Sequence, residues 1–123
     1  MDLDDLNRDV TGAILRAEGL PPGSWAAQHA FREVAELEQE IANMVGARTA
    51  EGEIARLGAL TASLSAGEPL RALQLAERYL ADGLSDGSRA KLADLRREAE
   101  AEIGRGVVDA PSVEPVRCSL RAA

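Results

Sequence analysis

Apolar residues three or four positions apart, in blocks that glycine or proline interrupts, constrain the fold of this chain more than any other feature of its sequence. That spacing lines one face of an α-helix with apolar side chains, and glycine and proline are common helix terminators. Ala, Leu, Glu and Arg, which favour helices, far outnumber the β-branched residues. We therefore predict an all-α protein of four or five short, amphipathic, antiparallel helices.

Five helical segments follow from the places where the apolar spacing stops and restarts. The predicted segments are 2–18, 25–45, 50–65, 69–82 and a last one that begins after Ser85 or Ser88 and ends at Gly104.

The boundary between the second and third segments leaves two interpretations open. Gly46 and Gly52 flank a break in the apolar spacing, and Thr49 is a candidate N-cap for a new helix. We predict a turn near residues 46–49, and one long kinked helix over 24–66 is the alternative.

The length of 123 residues is enough for one compact core. We predict that residues 1–104 form a single helical domain. Residues 105–123 contain Pro111 and Pro115 and no helical spacing, so we expect a disordered, flexible tail there. Cys118 lies in this tail and is expected to be a free thiol.

Charge and composition exclude several classes of protein. Asp and Glu total 21 against 14 Lys and Arg, and the net charge of −7 disfavours nucleic acid as a partner. One His and one Cys exclude a disulfide scaffold and a zinc site built from protein ligands alone. The acidic N-terminus does not resemble a secretory signal, and the uncharged stretch 57–67 is too short to span a membrane. We expect a cytoplasmic protein.

No pattern in the sequence points to catalysis. His29, Glu33, Glu36 and Glu40 share one face of the second segment, opposite its apolar stripe. We expect this face to be solvated and not to bind a metal. Neither a phosphate-binding loop nor a nucleophile elbow is present. The sequence predicts a non-enzymatic protein with no metal, no cofactor and no evident small-molecule ligand.

The segment 53–81 resembles a tetratricopeptide helix pair. The matching residues are Leu60 and Leu64 in the first helix, Gly67 at the turn, and Ala72, Ala76 and Tyr79 in the second helix. The segment departs from the family pattern at Arg56 and Ser63, where a large aromatic is expected, and at Leu84, where a closing proline is expected. The resemblance covers a single repeat.

This resemblance implies a groove that binds a segment of a partner protein. On the first helix of the pair, the groove face would carry the partner-binding residues Ile54, Leu57, Thr61 and Leu64. The size and acidity of the chain, and the leucine and glycine spacing of residues 57–73, are also similar to the small chaperones of type III secretion needle subunits.

These features predict a protein–protein interaction module, an adaptor or small chaperone that buries an amphipathic segment of a partner. The alternative is a self-assembling homodimer that uses a heptad-like seam over residues 27–44 as a coiled coil. The seam consists of Ala27, Ala30, Val34, Leu37, Ile41 and Met44. The seam spans fewer than three heptads, so we favour the interpretation that it packs within its own domain.

A helix-turn-helix regulator of DNA is the least favoured function. This hypothesis is based on a local cluster of basic residues near the end of the helical region, and the net negative charge of the chain argues against it. The cluster consists of Arg89, Lys91, Arg96 and Arg97.

Overall fold

The computed structural model describes residues 2–110, and its five α-helices confirm the all-α prediction. The helices are α1 (Leu3–Glu18), α2 (Trp25–Met44), α3 (Ala50–Ser65), α4 (Pro69–Leu80) and α5 (Asp86–Gly104). No β-strand occurs among residues 2–110. The predicted tail from residue 111 onward, which includes Cys118, lies outside the described residues.

Four of the five helices begin at a side-chain cap. In each, an Asp, Ser or Thr oxygen accepts a hydrogen bond from the backbone N–H three residues later. The capping residues are Asp2, Ser24, Thr49 and Ser85. Each cap satisfies an N–H that has no partner within the helix, which contributes about 1 kcal/mol.

The remaining helix, α4, is capped from a distant part of the chain. Pro69 opens α4, and Glu68 makes no capping hydrogen bond with its side chain. Instead the Asp109 carboxylate accepts hydrogen bonds from the backbone N–H groups of Leu70 and Arg71, both at 2.9 Å. Residues 105–110, which we predicted as the beginning of the tail, therefore include a contact with the helical domain.

The helices pack in chain order, with α3 at the centre. Each helix contacts the next one in sequence, and α3 also contacts α5. The main core draws side chains from all five helices and includes Leu6, Ile41, Leu60, Tyr79 and Leu92. Several of the other members are alanines, whose small side chains let neighbouring helices approach closely while burying little area per residue.

The buried arc of α2 is wider than the apolar stripe predicted. Ala35, Glu38 and Ala42 are buried in addition to members of the stripe, because α1 and α3 cover two sides of α2. Met44, which we assigned to the buried seam, is 52% exposed at the end of the helix. That assignment was wrong.

Side chains of the predicted seam 27–44 are buried within the domain itself. Ala27, Val34 and Ile41 are each at most 3% exposed and pack inside the domain. These three positions of the seam are therefore covered by the packing of α2 within its own domain.

A close approach between Gly46 and Gly52 shapes the turn between α2 and α3. The Thr49 hydroxyl donates to the Gly46 carbonyl at 2.8 Å and accepts from the Gly52 N–H at 2.9 Å. A Cβ atom at Gly52 would lie 1.9 Å from the Gly46 carbonyl oxygen, so no side chain fits there. This contact confirms the predicted turn, and 24–66 is two helices.

We expect Gly52→Ala to lower the free energy of unfolding by about 2 kcal/mol, because the added methyl group overlaps a backbone oxygen. Urea unfolding measures the effect. Gly87→Ala is the matched control, since Gly87 also lies in the first turn of a helix but has nothing within 4 Å of its Cβ position. The control should be neutral or stabilising. Equal losses in both variants would contradict this account of the turn.

The buried side chain of Arg56, on α3, binds the end of α2. Arg56 is 7% exposed, and its Nη atoms donate to the carbonyl oxygens of Ala42 at 3.1 Å and Val45 at 3.3 Å. These carbonyls lie at the C-terminal end of α2, where no further turn of helix supplies an N–H. Arg56 therefore satisfies acceptors that would otherwise be buried without a partner.

The same guanidinium also contacts α4 and the loop after it. Its Nε donates to Asp82 at 3.1 Å, and its central carbon lies 5.6 Å from the centre of the Tyr79 ring. Position 56 is one where the tetratricopeptide pattern expects a large aromatic, and here a charged residue joins three parts of the fold.

We expect Arg56→Met to lower the free energy of unfolding by about 3 kcal/mol, because it leaves buried carbonyls and Asp82 without their donor. Arg8→Met is the control. Arg8 pairs with Asp5 at 3.2 Å on the surface, so its loss should change stability by less than about 0.5 kcal/mol. A cost for Arg56→Met no larger than that of the control would show that the buried guanidinium does not hold the fold together.

Candidate functional site

An open groove of about 250 Å³ lies between α1 and α3, with α2 as its floor; we call it the α1–α3 groove. The lining residues are Ile14 and Glu18 from α1, Phe31, Val34 and Glu38 from α2, and Leu57, Gly58, Thr61, Ala62 and Ser65 from α3. Most of them are apolar or small, and the two carboxylates are the charged groups among them.

The groove exists because α1 and α3 both pack on α2, while their backbones do not approach each other closely. Within the described chain, close backbone contacts join α1 to α2 and α2 to α3, and none joins α1 to α3. On the side of α3 that faces the groove, Gly58, Thr61 and Ala62 are too small to fill the gap. The space above α2 is left open as a result.

Two of the four predicted partner-binding residues line this groove. They are Leu57, which is half-buried, and Thr61, which is exposed. Ile54 lies one helical turn before Gly58 on the same face and is 65% exposed. Leu64 is half-buried and does not line the groove. The predicted residues that line the groove belong to its α3 wall, and the lining residues of α1 and α2 were not predicted.

Glu38 lies in the floor of the groove and is 7% exposed. Its carboxylate packs against Gly58, and a Cβ atom at that glycine would lie 2.0 Å from Glu38 Oε2. Among residues 2–110, none forms an ion pair or a hydrogen bond with this carboxylate. The glycine therefore makes room for a buried acidic group that has no counter-ion in the described chain.

Burial changes the acidity of Glu38. Desolvation raises the pKa of its carboxyl from 4.5 to about 7, because the charged form loses hydration that no neighbouring group replaces. Close to neutral pH, Glu38 is thus divided between its protonated and its ionised form.

Glu68 provides a useful contrast with Glu38. It is also buried, at 5% exposed, but Arg32 lies 2.8 Å and Arg71 lies 3.3 Å from its carboxylate oxygens. A buried carboxylate that supports the fold is normally paired in this way. Glu38 is not paired, and this difference marks it as a candidate functional residue.

Sequence reasoning overlooked Glu38, although a signal was present. Glu38 is four residues after Val34 and three before Ile41, so it falls within the apolar stripe of α2. An acidic residue inside such a stripe is buried when the helix is covered on two sides, and α2 is covered by α1 and α3.

The other acidic residues singled out on α2 lie on its exposed face, as predicted. Glu33 pairs with Arg16 at 2.8 Å, and the ring of Trp25 stacks on His29 with 5.6 Å between ring centres. The exposed residues of this face are His29, Glu33, Glu36 and Glu40.

The basic cluster predicted on α5 is interleaved with carboxylates. Arg97 pairs with Asp94, and Arg96 lies 4.0 Å from Glu77 and 3.8 Å from Glu100. These contacts reduce the net positive charge that a phosphate backbone requires.

No protein-family model matches the sequence, and searches of curated proteins and of solved structures found no match either. No helix within residues 2–110 is long and apolar enough to cross a membrane.

We expect the stability of Glu38→Gln relative to wild type to rise by about 2 kcal/mol between pH 5 and pH 8, because wild type loses stability as Glu38 ionises. The folded protein holds the Glu38 proton more tightly than the unfolded chain does, so wild-type stability falls as pH rises between 4.5 and about 7. The measurement is urea unfolding of both proteins across this range.

Glu40→Gln is the control for this titration, because Glu40 is exposed two residues away on the same helix. Its stability should stay within about 0.5 kcal/mol of wild type, as is usual for a surface substitution. A constant difference between wild type and Glu38→Gln from pH 5 to pH 8 would contradict the assignment of the raised pKa to Glu38.

Proposed function

We propose that this protein is a non-enzymatic interaction module that binds the apolar face of an amphipathic helical segment of a partner protein in the α1–α3 groove. The observation that carries the proposal is the open, mainly apolar groove between two helices whose backbones do not come close to each other. A partner helix laid on α2 would contact α1 and α3 on either side, as helices do in grooves of other proteins.

The dimensions of the groove fit such a segment. Its floor extends along α2 from Phe31 to Glu38, which is about 10 Å or two helical turns at 1.5 Å per residue. Two turns of a partner helix present apolar side chains at positions i, i+3, i+4 and i+7.

The chemistry of the surface also supports a protein partner. Apolar side chains such as Ile14, Phe31 and Leu57 line the groove, while Glu18 and Ser65 supply polar groups. An apolar centre with a polar rim is typical of protein–protein interfaces. The exposed side chain of Ile54 extends the apolar surface along α3.

The resemblance of residues 53–81 to a tetratricopeptide pair, and the similarity to small secretion chaperones, imply the same class of function and stay predictions. An adaptor and a chaperone differ in the fate of the partner, and both require the same groove.

We expect Thr61→Trp to weaken partner binding at least tenfold, because the indole ring would fill the groove. The test is affinity capture with the immobilised chain, followed by cross-linking that identifies the bound segment of the partner. Circular dichroism checks that each variant is folded.

Thr11→Trp is the matched control for this experiment. Thr11 and Thr61 are both exposed within a helix, and each hydroxyl donates to the carbonyl four residues earlier, at 3.0 and 2.9 Å. Thr11 lies on α1 and does not line the groove. Capture of the same proteins by wild type and by Thr61→Trp would contradict the proposed function.

A further inference from the structure

We propose that the partner segment carries an arginine within its apolar face and that the guanidinium of this arginine pairs with Glu38 at the floor of the α1–α3 groove. This inference rests on the proposed function and identifies the chemistry that the groove selects.

The first observation is the isolation of a buried carboxylate that faces the groove. Glu38 is more than nine-tenths buried and lines the groove, and no residue of the described chain pairs with it. Gly58 is the residue that leaves space for its carboxylate. The fold thus holds an acceptor with four lone-pair sites at the floor of a groove that a partner's side chain can enter.

The second observation is the charge of the whole groove. Every element that packs around Glu38 contributes to the lining, and the titratable groups among these residues are Glu18 from α1 and Glu38 itself. Residues from α3 contribute hydroxyls at Thr61 and Ser65, and the Thr61 hydroxyl already donates to the Leu57 carbonyl. A cation on the partner therefore meets no competing positive charge among the described residues that line the groove.

Arginine fits this site better than the other cationic side chain. Its guanidinium is planar, weakly hydrated and able to donate two parallel hydrogen bonds to one carboxylate, whereas the lysine ammonium is a strongly hydrated point charge. The apolar stem of arginine can also pack against Ile14 and Leu57 while its head reaches Glu38.

A purely apolar partner would bind less well. It would cover Glu38 without supplying a hydrogen bond, so the ionised carboxylate would lose its remaining hydration. A cation removes this penalty. Because Glu38 has a pKa of about 7 in the free protein, binding of an arginine-containing segment should strengthen as pH rises from 6 to 8.

The experiment is a selection from a phage-displayed library of random peptides of about 16 residues, long enough for about four helical turns. The full chain is the bait in four forms: wild type, Glu38→Gln, Glu40→Gln and Thr61→Trp. Glu40→Gln removes an exposed carboxylate from the same helix, and Thr61→Trp fills the groove.

We expect wild type and Glu40→Gln to enrich peptides with one arginine among apolar residues at helical spacing. Glu38→Gln should enrich apolar peptides without the arginine. A synthetic copy of the leading peptide, with citrulline in place of arginine, should bind wild type at least about tenfold more weakly, and Glu38→Gln should not discriminate between the two peptides.

Different results overturn different statements. If wild type enriches no peptide that Thr61→Trp fails to enrich, the proposed function and this inference are both wrong. If wild type enriches groove-dependent peptides without a basic residue, or if Glu38→Gln keeps the same preference for arginine, the proposed function stands and this inference is wrong. A wild-type dimer that Thr61→Trp converts to a monomer would assign the groove to a second copy of the chain and would also overturn the inference.

Discussion

The guanidinium of Arg56 is the interaction on which the arrangement of the helices depends. A buried cation is costly unless acceptors replace its hydration, and the acceptors here come from the end of α2 and from Asp82 after α4. These elements have to take their positions together for the charge to be satisfied. Arg56 thereby sets α2 against α3, and those two helices form the floor and one wall of the α1–α3 groove.

A second buried charge, Glu38, has the opposite relation to the fold. Arg56 is hydrogen-bonded and supports the packing, whereas Glu38 is buried without a partner among residues 2–110 and lowers stability when it is ionised. A domain with few aromatic residues and a core rich in alanine has little stability to spare. In the proposed complex, the partner's arginine would offset this cost, since binding sites are where local stability is given up for function.

The helices and their boundaries could be predicted closely because their causes are local. Asp2, Ser24 and Thr49 cap helices through hydrogen bonds to residues three positions away, and apolar spacing reports which face of each helix is buried. The site could be predicted only in part. Leu57 and Thr61 belong to one amphipathic helix and were found, but Ile14 and Phe31 reach the groove only through packing between helices.

Short helices and a favoured turn near Thr49 can be inferred from the residues alone, because capping, spacing and helix propensity act over a few residues. Tertiary structure decided which faces are covered. It buried Arg56 and Glu38, two charged residues that the sequence analysis did not identify as buried, and it exposed Met44 at the end of the predicted seam. The physical reason is that burial depends on how many neighbours cover a helix, and α2 and α3 each have more than one.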